Sequence, residues 1–516
     1  MNNAGIETAA LRVDCELADF RRVMAVNADG CFLGTKWAMR PGGMAGAGGT
    51  VINLSSVAGL VGVVGLGAYC AAKGAVQLLT KSAALESARL GYGVRVNSIH
   101  PAQRPAPFCS NLGRGTRELL NPTQRVLMQK RAVIVGWSHT PFGKLDLPDV
   151  ESLIASVARP ALDHAGVAPQ DVDFVAVGVF NNGLTPQGFE GGLVSLGEPG
   201  LRFTPAVHVE NACATGTAAL HTALDYIESG RGRIALVIGA EKMTSLPAQQ
   251  LPNVLLSGCY HKEESNPLGF AGIFGQIAEA YFQRHGDHRE ELAMIAAKNH
   301  ANAVHNPYAH VRKAFDVEFC NTVSERNPLV AGPLRRTDCS MVSDGAAALV
   351  IADEETAATL NRAIRFRART QVNDFLPLSR RDPIAFEGAR TAWEKARAEA
   401  GVSLDDLDFV ETHDCFTIAE MIEYEAMGLA RPGEGWRVIR DGLTQRNGKL
   451  PVNVSGGLKA KGHPLGATGV SMHVMAAMQL MGEAGDMQVS KADIAGVFNM
   501  GGAAVSNYVS ILERMK

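Results

Sequence analysis

The stretch "HAGVAPQDVDFVAV", His164 to Val177, has a second copy in the same chain, "EAGVSLDDLDFVET", Glu399 to Thr412. In each copy Ala-Gly-Val is followed by an acidic residue and then by Asp-Phe-Val entering a strand. A glycine closing a helical pattern and an apolar pair opening a β segment predict helix, turn, strand. Further on, "CATGTAAL" from Cys213 aligns with "GATGVSMH" from Gly466. The element order therefore repeats, which predicts an internally duplicated α/β fold whose two halves share one site at their junction.

Working outward, residues 130–245 and the strand at 338–356 form the first half, and residues 357–516 the second. Between them, residues 246–337 break the alternation with Pro-, Asn- and His-rich turns and the helical stretch "GQIAEAYFQRHG", and are expected to form an inserted loop domain. Residues 102–129 are rich in Pro, Arg, Gly, Asn and Thr and read as a linker. They separate residues 1–101 from the repeat.

Three motifs in the halves carry chemistry. In "VENACATGTAALHTALDYI", Ala219, Leu220, Ala223, Leu224 and Ile227 recur at helical spacing, so a helix begins just after Cys213. A thiol at a helix start has backbone amides and the macrodipole to favour its thiolate. A lone cysteine in such a place is more often an inert core residue, so the other two motifs decide. "KGHPLGATG", Lys461 to Gly469, sets His463 before a second helix, where an imidazole beside a thiol can take its proton. "ETHDCFT", Glu411 to Thr417, adds His413 and Cys415. His-Asp-Cys alone suggests a fragment of a metal site, but no further ligand cluster accompanies it and no metal is expected.

With "FNMGG", Phe498 to Gly502, these motifs resemble the thiolase family, and more narrowly its sterol-carrier-protein type, over about Gln124 to Lys516. The resemblance implies the duplicated, layered αβαβα thiolase fold and an acyltransferase acting on 3-ketoacyl-CoA or acyl-CoA in lipid metabolism. Elsewhere in the family the third motif is Asn-Glu-Ala-Phe and the last is Cys-x-Gly. Here they are His413-Asp414-Cys415-Phe416 and Asn499-Met500-Gly501, which implies that the second catalytic thiol has moved to Cys415. The roles implied are Cys213 as nucleophile, His463 as its base and Cys415 as proton shuttle. His413 and His463 would hold the enolate, and the amides of Cys213 and Gly501 the thioester oxyanion. CoA enters as co-substrate, with Ser455 and Gly456 in "NVSGGLKAKG" as candidate contacts; no tightly bound cofactor is expected, and a homodimer or larger homo-oligomer is. Rival readings are a condensing ketosynthase, a lyase that dispenses with the nucleophile, an acyl-CoA or lipid binder without turnover, and a two-activity fusion with a reductase.

The last rival comes from the first hundred residues. "AYCAAKGAV" sets Tyr69 and Lys73 one helical turn apart, alongside "NNAG" at Asn2, "VNADG" holding Asn27, "VINLSS" ending at Ser56 and "VRVNSIHPA" at Val94. These resemble the short-chain dehydrogenase/reductase family, whose active site would fall on Asn27, Ser56, Tyr69 and Lys73. Lys73 would lower the tyrosine pKa so that it can pass a proton to or from a carbonyl. A strand, glycine-rich turn and helix that cradle a dinucleotide are not seen, since the glycine cluster "PGGMAGAGGT" at Pro41 precedes a strand instead of following one. The segment is expected to be an incomplete, vestigial Rossmann-like fragment, with NAD(P) not bound.

The 516 residues are 46% hydrophobic and 20% charged with net charge −3, which fits a globular protein and argues against nucleic acid or an anionic membrane surface as main partner. No apolar run reaches membrane-spanning length and no signal pattern opens the chain. The 9 cysteines are scattered without Cys-x-x-Cys pairs. A reducing, cytoplasmic setting is expected.

Overall fold

The computed structural model describes residues 2, 5–8, 10–40, 48–60, 62–63, 65–101, 131–247 and 249–515. The chain divides into two units, Met1–Gln129 and Lys130–Lys516. The expected linker, 102–129, lies outside the described residues.

In the first unit, β1 (Gly49–Leu54) and β2 (Val94–Ile99) pair in parallel. Asn2 extends the sheet by one residue, its N–H donating to Ile52 and its carbonyl accepting from Leu54. Helices α1 (Leu17–Met24) and α2 (Gly30–Ala38), joined by a π-helical segment at Ala25–Asp29, and α3 (Gly67–Leu90) follow, and Val51, Val94 and Val96 pack with Met39 and Ala83 in a small core.

The second unit carries the duplication. Its first half has β3 (Ala132–His139), α4 (Val150–Ala165), β4 (Phe174–Gly178), β5 (Ala206–Val209), α5 (Thr215–Glu228) and β6 (Ile234–Glu241). Residues 246–337 follow, with helices α6 (Phe270–His285) and α7 (Arg289–Ala303) and the hairpin of β7 (Leu329–Ala331) and β8 (Leu334–Arg335). The half then closes with β9 (Gly345–Asp353). The second half runs through β10 (Ile364–Asn373), α8 (Glu387–Ala400), β11 (Phe409–Glu411), α9 (Thr417–Met427), α10 (Leu465–Leu480), β12 (Ile494–Gly501) and β13 (Ser506–Arg514). Apart from the β7–β8 hairpin, the described strands of this unit form a nine-stranded sheet ordered β11-β12-β13-β10-β3-β9-β6-β4-β5. From its middle, each half reads first strand, fifth, fourth, second; β5 is the third strand of one half, and the bridge of Val452 to Val410 holds that place in the other. The two first strands meet antiparallel at Ile134 and Ile364.

The repeated motif does the same work twice. Gly166 ends α4 and Gly401 ends α8 in the left-handed conformation, at φ 72° and 65°, which glycine adopts without a Cβ clash. Asp173 accepts from the backbone N–H groups of Arg233 and Ile234, and Asp408 from those of Asp493 and Ile494. Each aspartate thus satisfies the first donors of the fourth strand of its half, which would otherwise lack partners at the sheet end. Layering follows from side-chain alternation. On β4, Val175 and Val177 pack with α4, while Phe174 and Ala176 face α5 on the opposite side. Trp393 of α8 presses on Gly496 of β12 on the outer face of the second half. Helices α5 and α10 lie in the middle, giving αβαβα.

Candidate active site

Cys213 stands between β5 and α5. The turn is built from Ala212, held in the left-handed region at φ 50°, and from Thr215, whose hydroxyl accepts from Asn211 N and donates to Ala212 O. A non-glycine residue in this region is strained, and such strain persists only where the surroundings enforce it. Here they do: the Asn211 side chain donates to Ser506 and Tyr508 of β13, clamping the turn to the other half.

His463 precedes α10 and His413 follows β11. The reactive atoms of Cys213, His413 and His463 all lie within 4.8 Å of one another, and the two rings stand nearly perpendicular with centroids 5.1 Å apart. The Thr468 hydroxyl donates to Pro464 O at 2.9 Å, so toward His463 Nδ1, 2.7 Å away, it is an acceptor. The His463 proton therefore sits on Nδ1 and the Nε2 lone pair is bare. His413 Nδ1 meets the side-chain nitrogen of Asn499 at 2.8 Å. Both Nε2 atoms are buried without a partner. Buried polar atoms are nearly always satisfied, and two orphans facing a thiol mark the place where a ligand's oxygen would sit.

The electrostatics are set by burial. It pushes the Cys213 thiol up to about 12, against the lowering pull of the Gly502 backbone N–H. The helix-start effect expected to favour a thiolate is thus outweighed in the resting protein. Burial, aided by the Lys461 charge, brings His463 down to about 3, and burial holds His413 well below the usual imidazole range. Thiol and imidazoles rest neutral. Cys415 is buried on the same loop as His413; burial first, and then the nearness of the Cys213 sulfur, hold its thiol well above its ordinary range.

Other expected residues are placed differently. Gly501 presses on the nucleophile turn, where a Cβ would stand 2.5 Å from Asn211 O, while the amide that reaches the Cys213 sulfur, beside that of Cys213 itself, is Gly502's. Ser455 and Gly456 lie in the interior: Ser455 gives its N–H and hydroxyl to Glu411 and its carbonyl accepts from Asn306, and Gly456 abuts Ala303. Three residues were not anticipated. Asn499 and Thr468 orient the imidazoles, and Cys259, in the segment after β6, is a further buried thiol near enough to help raise the Cys213 pKa. The repeat could have flagged Thr468, which aligns with Thr215, the hydroxyl that shapes the turn at Cys213.

In the first unit Asn27 exchanges two 2.7 Å hydrogen bonds with the backbone of Ile6, and Ser56 caps the turn at Ala58. The Lys73 ammonium lies 5.6 Å from the Tyr69 ring centroid. It donates to Leu54 O at 2.7 Å, and burial lowers its pKa. The strand β1 runs through Ser55 and Ser56 into a one-turn helix without a glycine-rich turn. Among the described residues Asn27, Ser56, Tyr69 and Lys73 lie in one unit, and no glycine-rich turn follows β1.

Residues 132–355 match the family described as thiolase, N-terminal domain, residues 371–514 the thiolase C-terminal domain-like family, and residues 1–112 short chain dehydrogenase. An acetyl-CoA acetyltransferase of Methanothermobacter thermautotrophicus is 34% identical over 383 residues, which is 74% of this chain and 99% of the relative. Human sterol carrier protein 2 is 31% identical over 400 residues, 73% of this chain and 71% of that protein. Among solved structures, an Ltp2-ChsH2(DUF35) aldolase shares the fold with a TM-score of 0.62 at 19% identity, covering 75% of this chain and 98% of its own. With both halves matched in order and a relative aligned along nearly its whole length, the chain belongs to the thiolase family and is an acyltransferase of that family, preceded by a segment that matches short chain dehydrogenase.

Proposed function

We propose that the second unit cleaves 3-ketoacyl-CoA with CoA, or runs the reverse condensation, through an acyl thioester on Cys213, in cytoplasmic lipid metabolism. The observation that carries this is the Cys213 sulfur and one ring nitrogen each of His413 and His463 gathered inside 4.8 Å, on two imidazoles whose Nε2 atoms are buried without a partner. His463 Nε2 takes the thiol proton as sulfur adds to the C3 ketone of the substrate, and backbone amides at Cys213 and the Gly501-Gly502 turn receive the oxyanion. The C2–C3 bond breaks, leaving the acyl group on sulfur and an acetyl-CoA enolate whose oxygen lies between the two histidines. Cys415, kept protonated by its burial, gives C2 its proton. The CoA thiol then attacks the thioester, its proton passing to the Cys415 thiolate and the acyl group leaving as acyl-CoA. Product and enzyme are balanced, and both imidazoles end neutral once His463 returns its proton to Cys213.

A second copy of this chain is the partner that suits the edge strand β5. Val207 on that strand is exposed, as are its neighbours Phe189, Leu196 and Phe203, and an open apolar edge invites strand pairing. The test of the function is a panel of 3-ketoacyl-CoA substrates with free CoA, followed at the enolate absorbance, with intact-mass detection of the acyl adduct. An acyl-CoA binder without turnover would show saturation but neither adduct nor cleavage, and that result would overturn the proposal.

A further inference from the structure

Cysteine sulfur and two imidazole nitrogens at mutual distances under 4.8 Å are a ligand set for a soft divalent cation such as zinc. A thiolase site would be poisoned by one, because the metal would take the lone pairs that chemistry needs. What decides between catalyst and metal site is which nitrogen of His413 carries the proton, and Asn499 decides that.

Asn499 is fully buried on β12 with three partners. Its nitrogen lies 3.3 Å from the Cys213 carbonyl oxygen and 2.8 Å from His413 Nδ1, and its oxygen lies 2.7 Å from the Thr217 hydroxyl. A carbonyl can only accept, so the amide edge facing Cys213 O must be the NH2, and the oxygen is left to accept from Thr217. The same NH2 group therefore donates to His413 Nδ1. A neutral imidazole that accepts at Nδ1 carries its proton on Nε2. His413 thus presents an N–H to the centre of the site, whereas His463 presents a lone pair there. One donor and one acceptor suit an oxyanion and a base. They do not suit a metal, which needs both lone pairs; turning His413 to the other tautomer would set its Nδ1–H against the Asn499 NH2.

We propose that Asn499 is a positioning residue that locks His413 as the hydrogen-bond donor of the site and thereby keeps the Cys213–His413–His463 trio from binding zinc. The inference rests on the thiolase reading for its catalytic half only; the metal half stands on the ligand geometry.

The experiment uses the full chain and Asn499→Asp. A carboxylate at this position accepts from Nδ1–H, reverses the tautomer and creates the carboxylate–histidine arrangement that supports zinc ligation. The variant is expected to bind zinc at least about 10-fold more tightly than the wild type, in competition with a chromophoric chelator. Cobalt(II) should show a thiolate charge-transfer band in the variant that is lost in Asn499→Asp/Cys213→Ala. Carbon–carbon cleavage should fall at least about 10-fold in metal-free buffer, because a lone pair replaces the enolate's donor, while Cys213 still forms its acyl adduct. Nitrogen-15 histidine spectra of the wild type, with His413 assigned by its loss in His413→Asn, should show a protonated Nε2 and serve even if Asn499→Asp does not fold. Equal zinc affinity in wild type and variant, or a protonated Nδ1 on His413, overturns the proposal. Loss of turnover in every protein with the zinc difference intact would instead count against the thiolase reading and leave the tautomer lock standing.

Discussion

A Cβ on Gly216 would stand 2.7 Å from the carbonyl oxygen of Gly466, so the first turn of α5 and the first turn of α10 touch backbone to backbone. Real Cβ atoms do not come that close to a carbonyl oxygen, and the next neighbours, Val470 N at 2.8 Å and Gly469 N at 3.0 Å, are also backbone and cannot turn aside. This contact brings Cys213 and His463, each just before its helix, into one site. Gly216→Ala is expected to cost about 1–3 kcal/mol by overpacking, and to lower acyl transfer more than stability alone would, because it pushes base and nucleophile apart. Urea unfolding and thiolysis of the same preparation check both; a variant with unchanged midpoint and unchanged turnover would show that the helices do not meet this closely.

The resting charge of the nucleophile gives a second prediction. With the folded thiol raised to about 12 from an ordinary 9.0, and His463 lowered to about 3, the pair is neutral at pH 7 and not a thiolate–imidazolium ion pair. Alkylation of Cys213 by iodoacetamide should climb about tenfold per pH unit from 7 to 9 without a plateau. The sign for stability agrees: the unfolded chain loses this proton near 9.0 and the folded one only near 12, so stability is complete below 9.0 and is lost as pH rises through that window. A rate plateau near neutral pH, measured by peptide mass spectrometry of Cys213, would show that an ion pair forms before substrate arrives.

How far the sequence could be read follows from the range of each interaction. The helix stop at Gly166 and Gly401 and the strand cap at Asp173 and Asp408 are local and repeated, so the duplication and the fold were legible from the two Asp-Phe-Val copies. Cys213, His463 and His413 sit in short motifs and were legible for the same reason. Asn499 was not, because what it does is defined by the Cys213 carbonyl and the His413 ring, each far away in the chain. Ser455 and Gly456 open the glycine-rich "SGGLKAKG" run, whose composition suits a ligand loop, yet the polar groups of Ser455 are turned to Glu411 and Asn306 and those of Gly456 to the backbone of Asn453 and Ala460. Composition shows that a backbone bends there and not which way its donors face.

Cys415 separates the two half-reactions. It lies on the His413 loop with its carbonyl accepting from Ser340, so its backbone is fixed whether or not the thiol is present. Cys415→Ala should fold, form the Cys213 acyl adduct from an activated acyl-CoA at near wild-type rate, and lose carbon–carbon cleavage by about 100-fold or more, the usual worth of a positioned general acid. Full thiolysis in this variant would transfer the proton shuttle to another group, with Cys259, a further buried thiol near Cys213, the first to replace.

The last prediction concerns the first unit. Lys73 has the spacing from Tyr69 that proton relay requires, but its ammonium is already bonded to the Leu54 carbonyl, and among the described residues β1 leads into a helical turn without the glycine-rich bend that brings backbone amides to a pyrophosphate. Residues 1–112 match the dehydrogenase family, yet the matched relative from Methanothermobacter spans 99% of its own length on 383 residues of this chain, a length close to that of Lys130–Lys516. The second unit thus corresponds in extent to a whole protein. NADPH should give no saturable heat in calorimetry with the full chain, no ketone should be reduced, and Tyr69→Phe should leave thiolysis unchanged. Residues 130–516 expressed alone should keep thiolysis within about twofold of the full chain, as expected of a unit with its own core. Saturable NADPH binding that disappears in Lys73→Ala would make the protein a two-activity fusion; loss of thiolysis on deletion would instead give the first unit a structural part in the acyltransferase.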